Sequence, residues 1–97
     1  MTDEASLTAP GEAVIAAFID ALWMERGLAD NTLAAYASDL QGFARWLSAQ
    51  RGAALLEANR ADVMAYLAAR VAQGSSRRSS ARLLSSLRRF YHYQLRQ

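Results

Sequence analysis

The sequence contains no cysteine and no lysine, and its only histidine is His92. Without cysteine there can be no disulfide, no thiolate metal site and no cysteine nucleophile, and one imidazole excludes most zinc-binding constellations. A glycine-rich phosphate loop is also missing. We therefore predict no metal, no cofactor and no catalytic residue in this chain.

Long apolar runs are missing as well, since no stretch approaches the roughly 20 residues that cross a bilayer. The first residues, MTDEASLTAPGE, are acidic, whereas a signal peptide begins with basic residues. These features predict a cytoplasmic protein that does not bind membranes. A chain of 97 residues is long enough for one domain with a modest core.

Acidic residues are absent from the last quarter of the chain. Residues 74–97 carry six arginines and no acid, a net charge of +6, whereas residues 1–73 carry all nine acids and five arginines, a net charge of −4. A solvated helix usually mixes Glu with Arg, because opposite signs relieve repulsion. The one-signed charge favours a polyanionic partner, most simply nucleic acid. A solvated face and an acidic protein remain alternatives, whereas a membrane surface is not favoured, because the apolar side of this segment is needed to close the core.

Strand patterns are lacking, because Val and Ile are few and no segment alternates apolar with polar residues. Residues 1–10 are predicted to be a disordered lead-in that ends at Pro10, and residues 11–97 to form the domain. The first predicted helix covers about residues 11–26 and stops at Gly27. Its apolar positions are Val14, Ile15, Phe18, Ile19, Leu22 and Trp23.

A second helix is predicted over about residues 30–50, starting near Asp30 or Asn31, which are good N-caps. Its predicted core positions are Leu33, Tyr36, Leu40, Phe43 and Leu47. In the linker that follows, Leu55 and Leu56 are predicted to enter the core.

The third helix is predicted to begin at a capping box formed by Asn59 and Asp62 and to end near Gln73. Its predicted core-facing positions are Val63, Tyr66, Leu67 and Val71. The fourth is predicted to start at Ser75 or Ser76 and to run nearly to the end of the chain. Short connections between these elements predict neighbouring helices. The predicted fold is therefore all-α, a four-helix bundle made of two helical hairpins.

On a helical wheel, the fourth helix separates an apolar face centred on Leu87 from a basic face. The basic face contains Arg78, Arg82, Ser85, Arg89, His92 and Arg96. At about 1.5 Å per residue, Arg78 and Arg96 lie roughly 27 Å apart along the helix. The outer face of the second helix carries mainly short side chains: Asn31, Ala34, Ala35, Ser38, Gly42 and Arg45. Such side chains permit close approach of a groove wall.

Two segments, FIDALWMERGLADNTLAAYASDLQGFARWL and SSARLLSSLRRFYHY, resemble the N-terminal core-binding domain of tyrosine site-specific recombinases, particularly the bacterial chromosome-dimer resolvases. The resemblance covers about residues 14–95. It implies a SAM-like four-helix domain that clamps one face of a duplex with its second and fourth helices. In this family the first helix can contact a neighbouring protomer, so the resemblance implies that Phe18 and Trp23 are less buried than their hydrophobicity suggests.

Carried over position by position, the resemblance implies a set of DNA-binding residues, to which the basic face of the fourth helix adds Arg89. The predicted set is Asn31, Thr32, Ala35, Ser38, Ser76, Arg77, Arg78, Ser79, Arg82 and Arg89. Family members often carry basic residues where this chain has Ala37 and Ser38. The second helix is therefore expected to hold phosphates less strongly than in its relatives.

The resemblance also implies that the catalytic domain, with its nucleophilic tyrosine, lies beyond residue 97, so this chain is predicted not to be an enzyme. The implied partners are duplex DNA, a related recombinase subunit in a tetrameric synaptic complex, and a DNA translocase that acts on the full-length protein. Two alternatives stay open. One is the core-binding domain of a phage or mobile-element integrase, and the other is a helical interaction domain whose arginine face meets an acidic protein.

Overall fold

A computed structural model of the chain describes residues 9–96, with side chains from residue 11 onward. It contains α1 (Ala9–Arg26), α2 (Asp30–Arg51), a short 3₁₀ turn (Leu55–Glu57), α3 (Arg60–Ala72) and α4 (Arg77–Leu95). No strand occurs between residues 9 and 96, and the predicted all-α, four-helix class is confirmed.

The predicted disordered lead-in, residues 1–10, falls mostly on residues 1–8, which lie outside the described residues. Ala9 and Pro10 are helical, so α1 begins two residues earlier than predicted. Proline is compatible with the first turn of a helix, because the N–H group that it lacks would have no intrahelical acceptor there.

The central element is α2, which packs against α1, the 3₁₀ turn, α3 and α4. Its core-facing positions are buried as predicted. Three aromatic residues from different helices, Phe18, Phe43 and Phe90, are fully buried, and the Phe18 and Phe90 rings meet edge-on with centroids 5.4 Å apart. The core therefore joins α1, α2 and α4.

The two aromatic residues of α1 differ in burial. The family resemblance implied that Phe18 and Trp23 would both be less buried than usual. For Phe18 this is wrong, because its ring fills the space between α1 and α4 beside Phe90 and Tyr93. Trp23 is 60% exposed, as implied.

The helix starts follow the predicted caps in two of three cases. Asn59 and Asp62 form the capping box, with the Asp62 N–H donating to Asn59 Oδ1 at 2.9 Å and the Asn59 N–H donating to Asp62 Oδ2 at 3.0 Å. Ser76 caps α4 by accepting from the Ser79 N–H at 3.1 Å. For α2 the prediction is wrong by one residue. Ala29 holds the extended N-cap position, and Asp30 lies in the first turn, where its carboxylate favours the positive end of the helix.

Two apolar residues predicted to lie in the core are exposed. Leu55 is buried, but Leu56, the next residue of the 3₁₀ turn, is 57% exposed, because one side of so short a turn faces solvent. Val71, near the end of α3, is also exposed. The Tyr91 hydroxyl donates to the Leu55 carbonyl oxygen at 2.6 Å, which fastens α4 to this turn.

Candidate nucleic-acid interface

A buried carboxylate joins α2 to α4. Asp39 is only 2% exposed, and the Arg82 guanidinium binds it through two parallel hydrogen bonds, Nε to Oδ2 at 3.0 Å and Nη2 to Oδ1 at 2.8 Å. Ser86 is fully buried and donates its hydroxyl to Asp39 Oδ2 at 2.8 Å. A bidentate arginine–carboxylate pair fixes both distance and rotation. This junction therefore sets which side of α4 faces outward beside α2.

A second contact joins α2 to α4. The Arg89 guanidinium lies over the Tyr36 ring, 5.9 Å from its centroid. Tyr36 lies one helical turn before Asp39, and Arg89 lies about two turns after Arg82. The two helices are therefore held together at two points.

At the other end, α3 supports the start of α4. Arg70 donates from Nη2 to the Ser79 hydroxyl oxygen at 2.9 Å, and its guanidinium lies 5.9 Å from the Tyr66 ring centroid. The Arg70 Nε atom is buried and has no hydrogen-bond partner within residues 9–96. Arg70 thus positions the first turn of α4 from a neighbouring helix.

All ten predicted DNA-binding residues lie on α2, on α4 or at the N-cap of α4, and the two helices pack against each other. Ala35, Thr32 and Ser79 are half-buried, whereas the other seven are exposed. The exposed residues are Asn31, Ser38, Ser76, Arg77, Arg78, Arg82 and Arg89. The surface formed by this set is called the α2–α4 face below.

Not every arginine of the set points the same way. At about 100° per residue, Arg78, Arg89 and Arg96 lie within roughly 40° of Arg82 around α4. Arg77 is about 140° away on the same wheel, and it approaches the α2–α4 face only because it lies in the first helical turn. The guanidinium groups of Arg78 and Arg96 make no ion pair or hydrogen bond with the part of the chain that the structure describes.

Arg82 differs from its neighbours on this face. The hydrogen bonds that Arg82 donates to Asp39 raise the pKa of the guanidinium above its already high value, so Arg82 stays charged. Its side chain is still 44% exposed, and Nη1 donates to no acceptor among the described residues. Arg82 is therefore first a structural residue, with its outer edge left accessible.

The predicted outer face of α2 also needs one correction. A Cβ atom added to Gly42 would meet the Tyr66 hydroxyl oxygen at 2.8 Å, too close for an ordinary contact. The small size of Gly42 is thus required by packing against α3. The other small residues named for this face, Ala34, Ala35 and Ser38, are exposed or half-buried.

Sequence reasoning missed three residues that shape the α2–α4 face: Asp39, Arg70 and Ser86. The partner of Asp39 lies on another helix, 43 positions further along the chain, so no spacing within α2 reveals it. The seven-residue spacing of Arg82 and Arg89 says nothing of which arginine has an internal partner. The one sequence signal for this junction is that Asp39 is an acidic residue among the apolar positions of α2, since a buried carboxylate requires a cation.

The part of the chain that the structure describes holds no group of three or more histidine, aspartate or glutamate side chains able to bind a metal ion. Across residues 9–96, no helix combines the length and the apolarity needed to cross a bilayer.

Comparison with known proteins identifies relatives of the chain. Residues 15–97 match the family described as phage integrase, N-terminal SAM-like domain. Tyrosine recombinase XerD of Shewanella oneidensis is 57% identical over 84 residues, which cover 87% of this chain and 28% of that protein.

Two further relatives carry the same name. Tyrosine recombinase XerD of Pseudomonas aeruginosa is 53% identical over 79 residues, covering 81% of this chain and 26% of the relative. The Proteus mirabilis XerD is 43% identical over 86 residues, covering 89% of this chain and 27% of the relative. The chain thus spans just over a quarter of the length of these relatives. No solved structure matches it significantly.

Proposed function

We propose that this chain, which belongs to the family of phage integrase N-terminal SAM-like domains, is the DNA-binding domain of a XerD-like tyrosine recombinase. The observation that carries the proposal is the α2–α4 face. There, Arg78 and Arg89 lie on one side of α4 without an internal ion pair, beside the short side chains of α2.

The proposed binding mode places both helices against the major groove, which is wide enough to admit an α-helix. Arg78 and Arg89 neutralise backbone phosphates, and Arg82, whose charge Asp39 already balances, offers only its outer edge as a donor. Phosphate contacts of this kind fix the register of a protein on the duplex. Asn31, Thr32 and Ser38 on α2 are polar and short, which suits contacts at base edges or at the groove wall. Ala35 allows close approach.

The first turn of α4 contributes in a different way. Ser76 and Ser79 lie where the helix leaves backbone N–H groups free of intrahelical acceptors, and Arg77 is exposed beside them. The positive end of the helix adds to the charge of the arginine. We assign this turn to a backbone phosphate.

For the whole protein we propose a recombinase that cuts and rejoins DNA strands through a covalent phosphotyrosine, without metal or nucleotide. The names of the relatives support this role in chromosome-dimer resolution over a phage or mobile-element integrase. Its partners would be a XerC-like subunit in a tetrameric synaptic complex and a DNA translocase. Its substrate, chromosomal DNA, would place it in the cytoplasm.

The salt dependence of DNA binding tests the proposal. We expect weak binding of this chain to a duplex, because one half of a clamp lacks the contacts of the other half. If about four phosphates are neutralised, a plot of log K against log salt has a slope near −3 to −4. Fluorescence anisotropy with a labelled duplex at several salt concentrations measures this slope, and a flat response contradicts the proposal.

A matched pair of variants locates the binding surface. Arg78→Ala should weaken binding and reduce the magnitude of the salt slope by about 1. Arg60→Ala removes the same charge from an exposed position on α3 and should change the slope much less. Equal effects of the two variants, together with equal retention on heparin and duplex, would instead favour a domain whose arginine face meets an acidic protein.

A further inference from the structure

A cavity of about 330 Å³ lies between the C-terminal halves of α1 and α4. Its charged and titratable lining residues are Glu25 and Arg26 from α1 and Arg88, Arg89, His92 and Arg96 from α4. The lining thus carries four guanidinium groups and one carboxylate, a net charge of +3 with His92 neutral. Only Arg89 belongs to the DNA-binding set predicted from sequence.

The cations of this cavity have no internal counter-ion. No carboxylate lies within ion-pairing distance of Arg26, Arg88 or Arg96 in the described residues, although Glu25 shares the cavity. An arginine at the end of a helix is usually explained by the helix dipole, and that accounts for Arg26 at the end of α1 and for Arg96 at the C-cap of α4. It does not explain why Arg88 and Arg89 line the same cavity.

Apolar side chains form part of the cavity lining. The rings of Phe18 and Tyr93 and the side chain of Leu22 line the cavity, and Phe18 is fully buried. Phe18 and Tyr93 also pack together with ring centroids 5.5 Å apart. An apolar wall excludes water and strengthens charge interactions at the mouth. The site therefore favours one bound anion over loosely associated counter-ions.

Two observations connect this cavity to the α2–α4 face. Arg89 belongs to both, since its guanidinium lines the cavity and lies over the Tyr36 ring of α2. Arg26 ends α1 only five positions before Asn31 at the start of α2. The cavity is thus a lateral continuation of the α2–α4 face toward α1.

We propose that this cavity binds one phosphodiester group of the duplex backbone, at the edge of the α2–α4 face. The inference rests on the proposed function, and it adds α1 to the DNA-binding elements through Arg26. Its contribution is independent of base sequence, because a phosphate carries no sequence information. Arg88 and Arg96 complete the site from α4.

The test combines Arg26→Ala and Arg96→Ala in one variant and compares it with Arg60→Ala by anisotropy on a short mixed-sequence duplex. Loss of one phosphate contact should lower the magnitude of the salt slope by about 0.9 and weaken binding about tenfold near 0.1 M salt. Circular dichroism of each variant checks that helix content is unchanged. An unchanged slope in the double variant would overturn the inference.

Nitrogen-15 NMR of the arginine side chains gives an independent readout that needs no variant. Titration with duplex should move the Nε–H resonances of Arg26 and Arg96 and leave that of Arg60 in place. If Arg78 responds while Arg26 and Arg96 do not, the inference fails and the proposed function stands. If no arginine responds, both fail.

A titration with inorganic phosphate separates a backbone site from a site for a free anion. We expect the Arg26 and Arg96 resonances to respond to duplex at phosphate concentrations at which the inorganic ion produces no change. Saturation by inorganic phosphate at lower concentration than by duplex would assign the cavity to a free phosphate and overturn the proposal.

Discussion

The middle and the ends of α4 use the same residue type for different purposes. In the middle, Arg82 binds the buried Asp39 carboxylate, and Ser86 completes the junction. Toward the ends, the guanidinium groups of Arg78 and Arg96 have no ion-pair or hydrogen-bond partner among residues 9–96. The basic face of α4 therefore contains one arginine that holds the helices together and others whose charge stays available. A charged side chain on the surface therefore indicates a ligand only when it has no ion-pair partner within the protein.

Substitutions at Arg78 and at Arg82 therefore test different properties of the domain. A charge reversal at Arg82 would place a second carboxylate against buried Asp39, so lost DNA binding in that variant could arise from lost structure. Arg78 lies one turn earlier on the same side of the helix and carries no such complication. Variants at Arg78 report on binding, and variants at Arg82 report on the α2–α4 junction.

The largest expected effect on stability follows from this comparison. Arg82→Ala leaves Asp39 buried with one hydrogen bond from Ser86, and it should lower the free energy of unfolding by about 2–3 kcal/mol. Arg78→Ala should change that free energy by less than about 0.5 kcal/mol. Urea denaturation followed by circular dichroism measures both.

A double variant sharpens this test. Asp39→Ala combined with Arg82→Ala removes both charges, and it should recover part of the stability lost in Arg82→Ala alone, because no unpaired carboxylate remains. Equal unfolding midpoints for Arg82→Ala and Arg78→Ala would show that the junction contributes no more than an exposed arginine does.

Tyr91 lies on the inner side of α4, and the pH dependence of the free energy of unfolding tests its contribution. Burial, and secondarily the charge of Asp62, raise the pKa of the Tyr91 phenol above its ordinary value of 10.0. Because the folded-state pKa is the higher one, this stabilisation is complete below pH 10 and is lost as pH rises above it. The expected loss is at most about 1.4 kcal/mol per pH unit, reduced by the partial exposure of the ring.

The control for this prediction is Tyr91→Phe, which removes the ionisable group together with the hydrogen bond to Leu55. It should be less stable than the unsubstituted chain at pH 8 and should show a shallower decline between pH 10 and 11. Parallel declines in the two proteins would place the alkaline sensitivity elsewhere.

Much of the fold could be predicted from the sequence, because local signals and periodicity agreed. The capping box at Asn59, the cap at Ser76 and the buried positions of α2 depend on spacing within one helix, which sequence records directly. Leu56 and Val71 were misplaced because apolar character alone does not fix the side of a short turn or of a helix end.

For the proposed interface, the sequence predicted which helices take part but not the contacts that position their side chains. Sequence indicated that α2 and α4 carry the binding surface, but the pairing of Asp39 with Arg82 spans 43 positions and Arg70 reaches Ser79 from a third helix. Gly42 shows the same limit. Its lack of a side chain was interpreted as allowing close approach of a ligand, whereas the Tyr66 hydroxyl occupies the space beside it. Contacts between helices decide these roles.

The smallest effect concerns Ser76, which the sequence assigned to DNA and the structure uses as the cap of α4. Ser76→Ala should lower the free energy of unfolding by about 1 kcal/mol, since the Ser79 N–H loses its acceptor. Ser75→Ala is the matched control, because the Ser75 side chain makes no cap. Thermal denaturation measures both.

The Ser76→Asp variant separates the two roles of this residue. Aspartate is also a good N-cap and interacts favourably with the helix dipole, so stability should return to that of the unsubstituted chain. If Ser76 also lies against a backbone phosphate, the new carboxylate repels it, and duplex affinity should fall below that of Ser76→Ala. If affinity instead follows stability across the three proteins, Ser76 acts on DNA only by holding the first turn of α4 in place.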